Sequence, residues 1–98
     1  MTEKEFWKYF RSTTIIKEQA LRGEYKEQEI LLKKIVDMGE LLVLKNVTLK
    51  AKEIILMTLA HNPTKAALGI LKAYNRMPDK GLKIFAELAF DECKMWNS

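Results

Sequence analysis

Residues that interrupt a helix are scarce in this chain, and their placement restricts the fold more than any motif does. Only four glycines and two prolines occur in 98 residues. Gly23 follows the first helical pattern, and Pro63 and Pro78 stand at either end of a later one. Between these breaks apolar residues return every three or four positions, the period of an amphipathic helix. So few turn-formers cannot supply the many tight turns of a β-sandwich. The expected fold is therefore all-α, a compact bundle of about five helices joined by short turns.

Thr2 and Glu5 have the spacing of a capping box, in which each side chain satisfies the other's backbone N–H. Phe6, Tyr9, Phe10, Thr13, Ile16 and Ala20 follow at helical spacing and predict a first helix over 3–22. Its weak point is "STTII", whose β-branched side chains lose rotamer freedom in a helix. Gly23 suits the left-handed residue that closes such a helix. A second helix is predicted over 24–45, with Tyr25, Leu32, Ile35, Val36, Leu42 and Val43 inward and Lys26, Glu29, Lys33, Asp37 and Glu40 outward. Gly39 within it predicts a kink or break. A hairpin of "LLVL" and "VTLK" is the rival for this region, although Lys45-Asn46 is a poor hairpin turn.

Asn46 can end the second helix, and Thr48 can cap a third over 49–61. Its centre, "EIILMTLA", is apolar nearly all round, so this helix belongs deep in the fold. Pro63 fits the first position of a fourth helix over 64–76, with Ala67, Ile70, Leu71 and Tyr74 inward and Lys65, Lys72 and Arg76 outward. Pro78 and Asp79 repeat the device for a fifth over 79–96. On that last helix Lys80, Lys83, Glu87, Asp91 and Lys94 form one narrow polar stripe, and nearly everything else is apolar. It should be buried on two sides, either as a central helix or as half of an interface. In its spacing of prolines the segment resembles one hairpin unit of a stacked α-hairpin array such as HEAT, which implies an α–α superhelix.

The length allows a single helical domain, residues 1–98. The apolar share is 48% and the charged share 31%, values of an ordinary globular chain. "MTEKEFWKYF" has acidic residues where a secretory signal would be apolar, and no apolar run approaches the roughly 20 residues of a membrane span. The expected location is the cytoplasm. The net charge of +4 is uneven: residues 1–44 balance, 45–83 carry eight cations against Glu53 and Asp79, and 84–98 carry Lys94 against Glu87, Asp91 and Glu92.

Signals of chemistry are weak. His61 is the only histidine and falls at a helix end, where its ring suits a free carbonyl. The single cysteine, Cys93, sits among apolar registers as a small hydrophobe. Glu87, Asp91 and Glu92 have no matching histidine or carboxylate pair for a di-metal site. Neither a P-loop nor a G-x-G-x-x-G nor a G-x-S-x-G is present. The chain is expected to be no enzyme, with no catalytic residue, cofactor or metal.

Interaction is better supported. "FWKYFR" places Phe6, Trp7, Tyr9 and Phe10 on a wide aromatic span, and Phe90 and Trp96 add two rings on the last helix. Core packing is the plainer reading of the first cluster, but Trp and Tyr are enriched at binding hot spots, so these six are the candidate partner-binding residues. The first helix, with Lys4, Lys8 and Arg11, also suits a membrane surface. Lys50, Lys65, Lys72 and Arg76 are the candidate face for an anionic partner. The stretch Val47–Asn75 resembles the opening of a winged helix-turn-helix, which implies nucleic-acid binding. It lacks that family's turn glycine, having Thr64 near the place, and the next helix shows carboxylates where a recognition helix would show base-reading side chains. The leading expectation is a small non-catalytic protein–protein interaction module, with self-association as a homodimer as one form. The alternative is a nucleic-acid-binding or regulatory helical domain using the basic segment 45–83.

Overall fold

A computed structural model describes residues 1–11 and 27–97. Among these residues there are five helices and no strand: α1 (residues 3–11), α2 (Glu27–Leu42), α3 (Leu49–Ala60), α4 (Lys65–Tyr74) and α5 (Lys83–Asn97). The all-helical bundle expected from the sequence is what forms. The expected continuation of the first helix to 22, the "STTII" weak point, Gly23, and the start of the second helix at 24 lie outside the described residues.

Local signals set most helix starts. Thr2 Oγ1 accepts from Glu5 N at 3.2 Å while Thr2 N donates to Glu5 Oε1 at 3.1 Å, the reciprocal capping box. Thr48 caps α3, its hydroxyl accepting from Ala51 N at 3.3 Å. Thr64 caps α4 in the same way, accepting from Ala67 N at 3.1 Å. Pro63 therefore precedes the cap and does not occupy the first helical position expected of it. The hydroxyl supplies the missing acceptor, and the proline only fixes the approach.

The start of α5 also differs from expectation. Pro78 and Asp79 do not begin the helix; the chain turns through Gly81, whose φ is 96°, and α5 starts at Lys83. Asp79 is engaged elsewhere. Its carboxylate accepts from Lys52 Nζ at 3.0 and 2.9 Å and from the Tyr74 hydroxyl at 2.5 Å, which ties this turn to α3 and α4.

Helix α3 packs against α2, α4 and α5, and α4 also meets α2 and α5. Ala51, Ile55, Leu56, Leu59 and Ala60 of α3 are buried with Ile35, Met38, Leu41 and Leu42 of α2 and Ala67, Leu71 and Tyr74 of α4. The deep placement expected of α3 is found. In α2 the inward face is shifted: Met38 and Leu41 are buried, whereas Leu32, Val36 and Val43, expected inside, are 51%, 48% and 75% exposed. Gly39 does not end α2, which continues to Leu42. A Cβ at Gly39 would stand 2.8 Å from Ile70 Cδ1 and 3.1 Å from two further Ile70 carbons, so the glycine lets α4 come close.

The α-carbon extents are 40 × 33 × 17 Å. A helix with its side chains is about 10–12 Å across, so the thin dimension holds roughly two helix layers. Each outer helix has one covered face and one open face. Of the two placements expected for the last helix, the central one does not form: within the chain α5 has one covered face. Helix α5 buries Ala86, Ala89 and Cys93 and leaves Ile84, Leu88, Met95 and Trp96 exposed.

Candidate protein-interaction surface

The six aromatic candidates separate into different environments. Phe6 is 1% exposed and belongs to the core, so it offers a partner nothing in this fold. Its position is set by helical spacing from the capping box, which aims it inward between Trp7 and Phe10. The Phe6 and Trp7 ring centroids are 5.3 Å apart at an edge-on angle, and Phe10 lies 6.1 Å from both. Trp7 is half-buried, and its indole N–H donates to Glu3 Oε2 at 2.9 Å. Tyr9 is also half-buried, beneath Lys34 Nζ at 5.4 Å. Phe90 packs on the core edge with Lys94 Nζ 4.6 Å from its ring. Only Phe10 and Trp96 are openly exposed, and no ring contact joins Trp96 or Phe90 to the α1 cluster among the described residues.

Glu3 is a residue the periodicity did not single out. It accepts from Trp7, from Thr48 N at 2.8 Å and from the Thr48 hydroxyl at 2.9 Å, linking the start of α1 to the cap of α3. Those hydrogen bonds, the one from Trp7 first, hold its carboxyl below the usual glutamate range.

What remains open on α5 is a stripe. Ile84, Leu88 and Met95 recur at i, i+4 and i+11 with exposures of 73%, 62% and 69%, and Trp96 beside them is 56% exposed. Glu87 and Asp91 lie along the same face at i+3 and i+7 from Ile84. The helix turns large apolar side chains outward because its small ones fit the close approach to α3 and α4.

A second open apolar feature lies between α2 and α4. It is a groove of about 540 Å³ lined by Val36, Gly39 and Val43 on one side and Ala66, Gly69, Ile70 and Ala73 on the other. Lys65 and Glu40 are the charged residues of its lining. The signal for it was present in the sequence as small residues at 66, 69 and 73, one face of a helix, opposite a glycine on α2.

The four candidate cations, Lys50, Lys65, Lys72 and Arg76, are all exposed, and none forms an ion pair among the described residues. Lys65, Lys72 and Arg76 follow at i, i+7 and i+11, which puts the two helical ones on one face of α4 and Arg76 just beyond its end. Lys52, counted with the basic middle segment, is 2% exposed and is engaged by Asp79. Burial pulls the Asp79 carboxyl upward, but hydrogen bonds from Tyr74 and Lys52 and the lysine charge outweigh it, leaving its pKa lowered. Burial first, and then the hydrogen bond to Asp79, push the Tyr74 hydroxyl up to about 12. This trio fastens three segments, with Lys52 buried and Asp79 at the partly exposed edge.

His61 caps α3 as expected. Its Nδ1 lies 2.8 Å from Met57 O, one of the free carbonyls of the last turn. Nε2 lies 3.0 Å from Glu92 Oε1 in an exposed pair. Cys93 is buried, its thiol donating to Asn62 O at 3.4 Å, and burial raises its pKa, the opposite of what a thiolate nucleophile needs. Among the described residues no three His, Cys, Asp or Glu side chains gather as metal ligands, and no helix is long and apolar enough to cross a membrane. Set against family models, curated proteins and solved structures, the chain matches none of them.

Proposed function

We propose that this protein is a small non-catalytic interaction module whose outer α5 face binds another polypeptide. The observation that carries the reading is the exposure of Ile84, Leu88 and Trp96 along one side of a single helix. Large apolar side chains left open on one helix of a small protein are costly in water and mark binding sites. Trp96 supplies the large amphipathic ring that anchors such contacts. A photo-reactive amino acid at position 88, introduced in the native host, should give a discrete covalent adduct with a polypeptide, whether another copy or a different chain. The same probe in place of Glu53, an exposed polar position on α3, is the control. Labelling at 88 no different from labelling at 53 would remove the reading.

The exposed set Lys50, Lys65, Lys72 and Arg76, which forms no ion pair among the described residues, favours a second reading, a nucleic-acid-binding or regulatory domain. The two separate on salt. Phosphate contacts made by several cations weaken steeply between about 50 and 200 mM salt, whereas an apolar α5 contact persists across that range.

A further inference from the structure

Three cations of the basic segment form one row. Lys65, Lys72 and Arg76 are exposed and make no ion pair among the described residues. Their spacing, i, i+7 and i+11, keeps them within about 40° around the helix and about 10 and 6 Å apart along it. Arg76 lies past the end of α4, but Asn75 keeps helical dihedrals, φ −65° and ψ −15°, and Arg76 N donates to Ala73 O at 3.2 Å. The row therefore runs nearly straight for about 16 Å. No acidic residue occurs on α4, and Asp79 beyond it is held by Lys52 and Tyr74. Glu40 of α2, which lines the groove with Lys65, is the carboxylate that opposes the row at one end. The fully exposed positions between the cations are Gly69 and Ala73, too small to hold a bulky partner away.

The other side chains of α4 and its C-cap narrow what the row can hold. Tyr74, the one ring of α4, is buried, so no base can stack on it. Both N–H groups of the Asn75 amide are used, donating to Leu71 O and Ala86 O at 2.9 Å, so they do not read a base edge. Leu68 and Ile70 pack on the core, which leaves α4 no large, openly exposed apolar side chain to enter a bilayer. Phosphate contact is what remains, and a duplex suits a straight row. It carries about one charge per 1.7 Å of its axis, whereas single strands are gripped largely by stacking. We infer that the α4 row is a binding site for the phosphate backbone of double-stranded nucleic acid, held without reading its sequence. The inference rests on the second reading above and adds the form of the nucleic acid and the mode of contact. None of its residues belongs to the α5 stripe.

Fluorescence anisotropy tests this with labelled DNA and RNA duplexes of about 20 base pairs and a dT strand of the same length. Duplexes of unrelated sequence should bind alike. Three phosphate contacts give a slope of about −2.7 in log K against log salt, a loss of about 40-fold between about 50 and 200 mM. Lys72→Gln and Arg76→Gln should each reduce that loss to about 12-fold, and Glu40→Gln should strengthen binding. All three positions are exposed, and circular dichroism checks that the variants stay helical. Binding of either duplex supports the inference, and the two arms separate DNA from RNA. A salt dependence that the variants leave unchanged puts the contact elsewhere and overturns it. Tighter binding of the dT strand than of either duplex overturns the duplex form alone and leaves the nucleic-acid reading standing. No binding to any of the three at about 20 mM salt, or binding to phosphatidylserine vesicles in their place, overturns both.

Discussion

Helices α3 and α5 are both apolar through most of their length, and they place that hydrophobicity oppositely. Helix α3 buries Ile55, Leu56 and Leu59 and covers Lys52 on its inner face, leaving Leu49 and Met57 half-exposed on the outer one. Helix α5 buries Ala86, Ala89 and Cys93 and exposes Ile84, Leu88 and Trp96. Hydropathy does not separate the two cases. Volume does: in a bundle about two helix layers thick, an outer helix has one face to bury, and the small face allows the closest approach. Phe85 and Phe90 of α5 pack at the core edge, whereas Ile84, Leu88 and Trp96 are left for an outside contact.

The sharpest test of the enclosed side is its buried charge. Asp79→Ala leaves Lys52 uncompensated, and breaking such a pair from one side costs about 3 kcal/mol or more. Urea unfolding should show this loss, and Lys52→Met combined with Asp79→Ala should recover most of it. The sign with pH is fixed as well. Because the folded Asp79 has a lowered pKa, its contribution is complete above the unfolded value and disappears as pH falls through the folded one. Wild-type stability should fall more steeply than that of the Asp79→Ala variant below about pH 4. Equal slopes would mean that Asp79 is not held as the geometry has it.

Next come two leucines of equal hydropathy. Leu56 is 0% exposed and Leu88 is 62% exposed. Leu56→Ala should cost about 2–5 kcal/mol, the transfer loss plus a cavity. Leu88→Ala in the isolated monomer should stay within about 0.5 kcal/mol, as surface changes do. Thermal or urea unfolding at low protein concentration measures both. A comparable loss at Leu88 would show that α5 is covered within its own chain, and the contrast between the helices would collapse.

Much of this fold was readable because the signals were local. Thr2–Glu5, Thr48 and His61 act on backbone groups within four residues, and each does what its sequence position implies. The inward set of α4 was likewise fixed by period, with Ala67, Leu71 and Tyr74 buried. What could not be read depended on partners distant in sequence. Asp79 looked like a helix-start residue and is held by Lys52, 27 positions earlier. Leu32, Val36 and Val43 followed a helical period faultlessly yet are exposed, and across from Val36 and Val43 stand Ala66, Gly69 and Ala73, which leave the groove open. The basic bias of residues 45–83 gave a correct count without showing that one of its lysines is interior.

The smallest test sets two glycines against each other, each inside a helix. Both gain helix propensity on going to alanine, about 1 kcal/mol. At Gly69 the new methyl meets nothing within 4 Å, so Gly69→Ala should raise stability by nearly that full amount. At Gly39 the methyl arrives 2.8 Å from Ile70 Cδ1, with the Cγ1 and Cγ2 atoms at 3.1 Å. Ile70 is β-branched and has few rotamers into which it can retreat. The overpacking that results costs about 1 kcal/mol or more and cancels the gain. The two variants should therefore differ by at least about 1 kcal/mol in urea unfolding, with Gly69→Ala the more stable. Equal gains would mean that α2 and α4 stand farther apart than the Gly39–Ile70 contact requires. The covered and uncovered apolar surfaces of this bundle would then be less distinct than α3 and α5 make them.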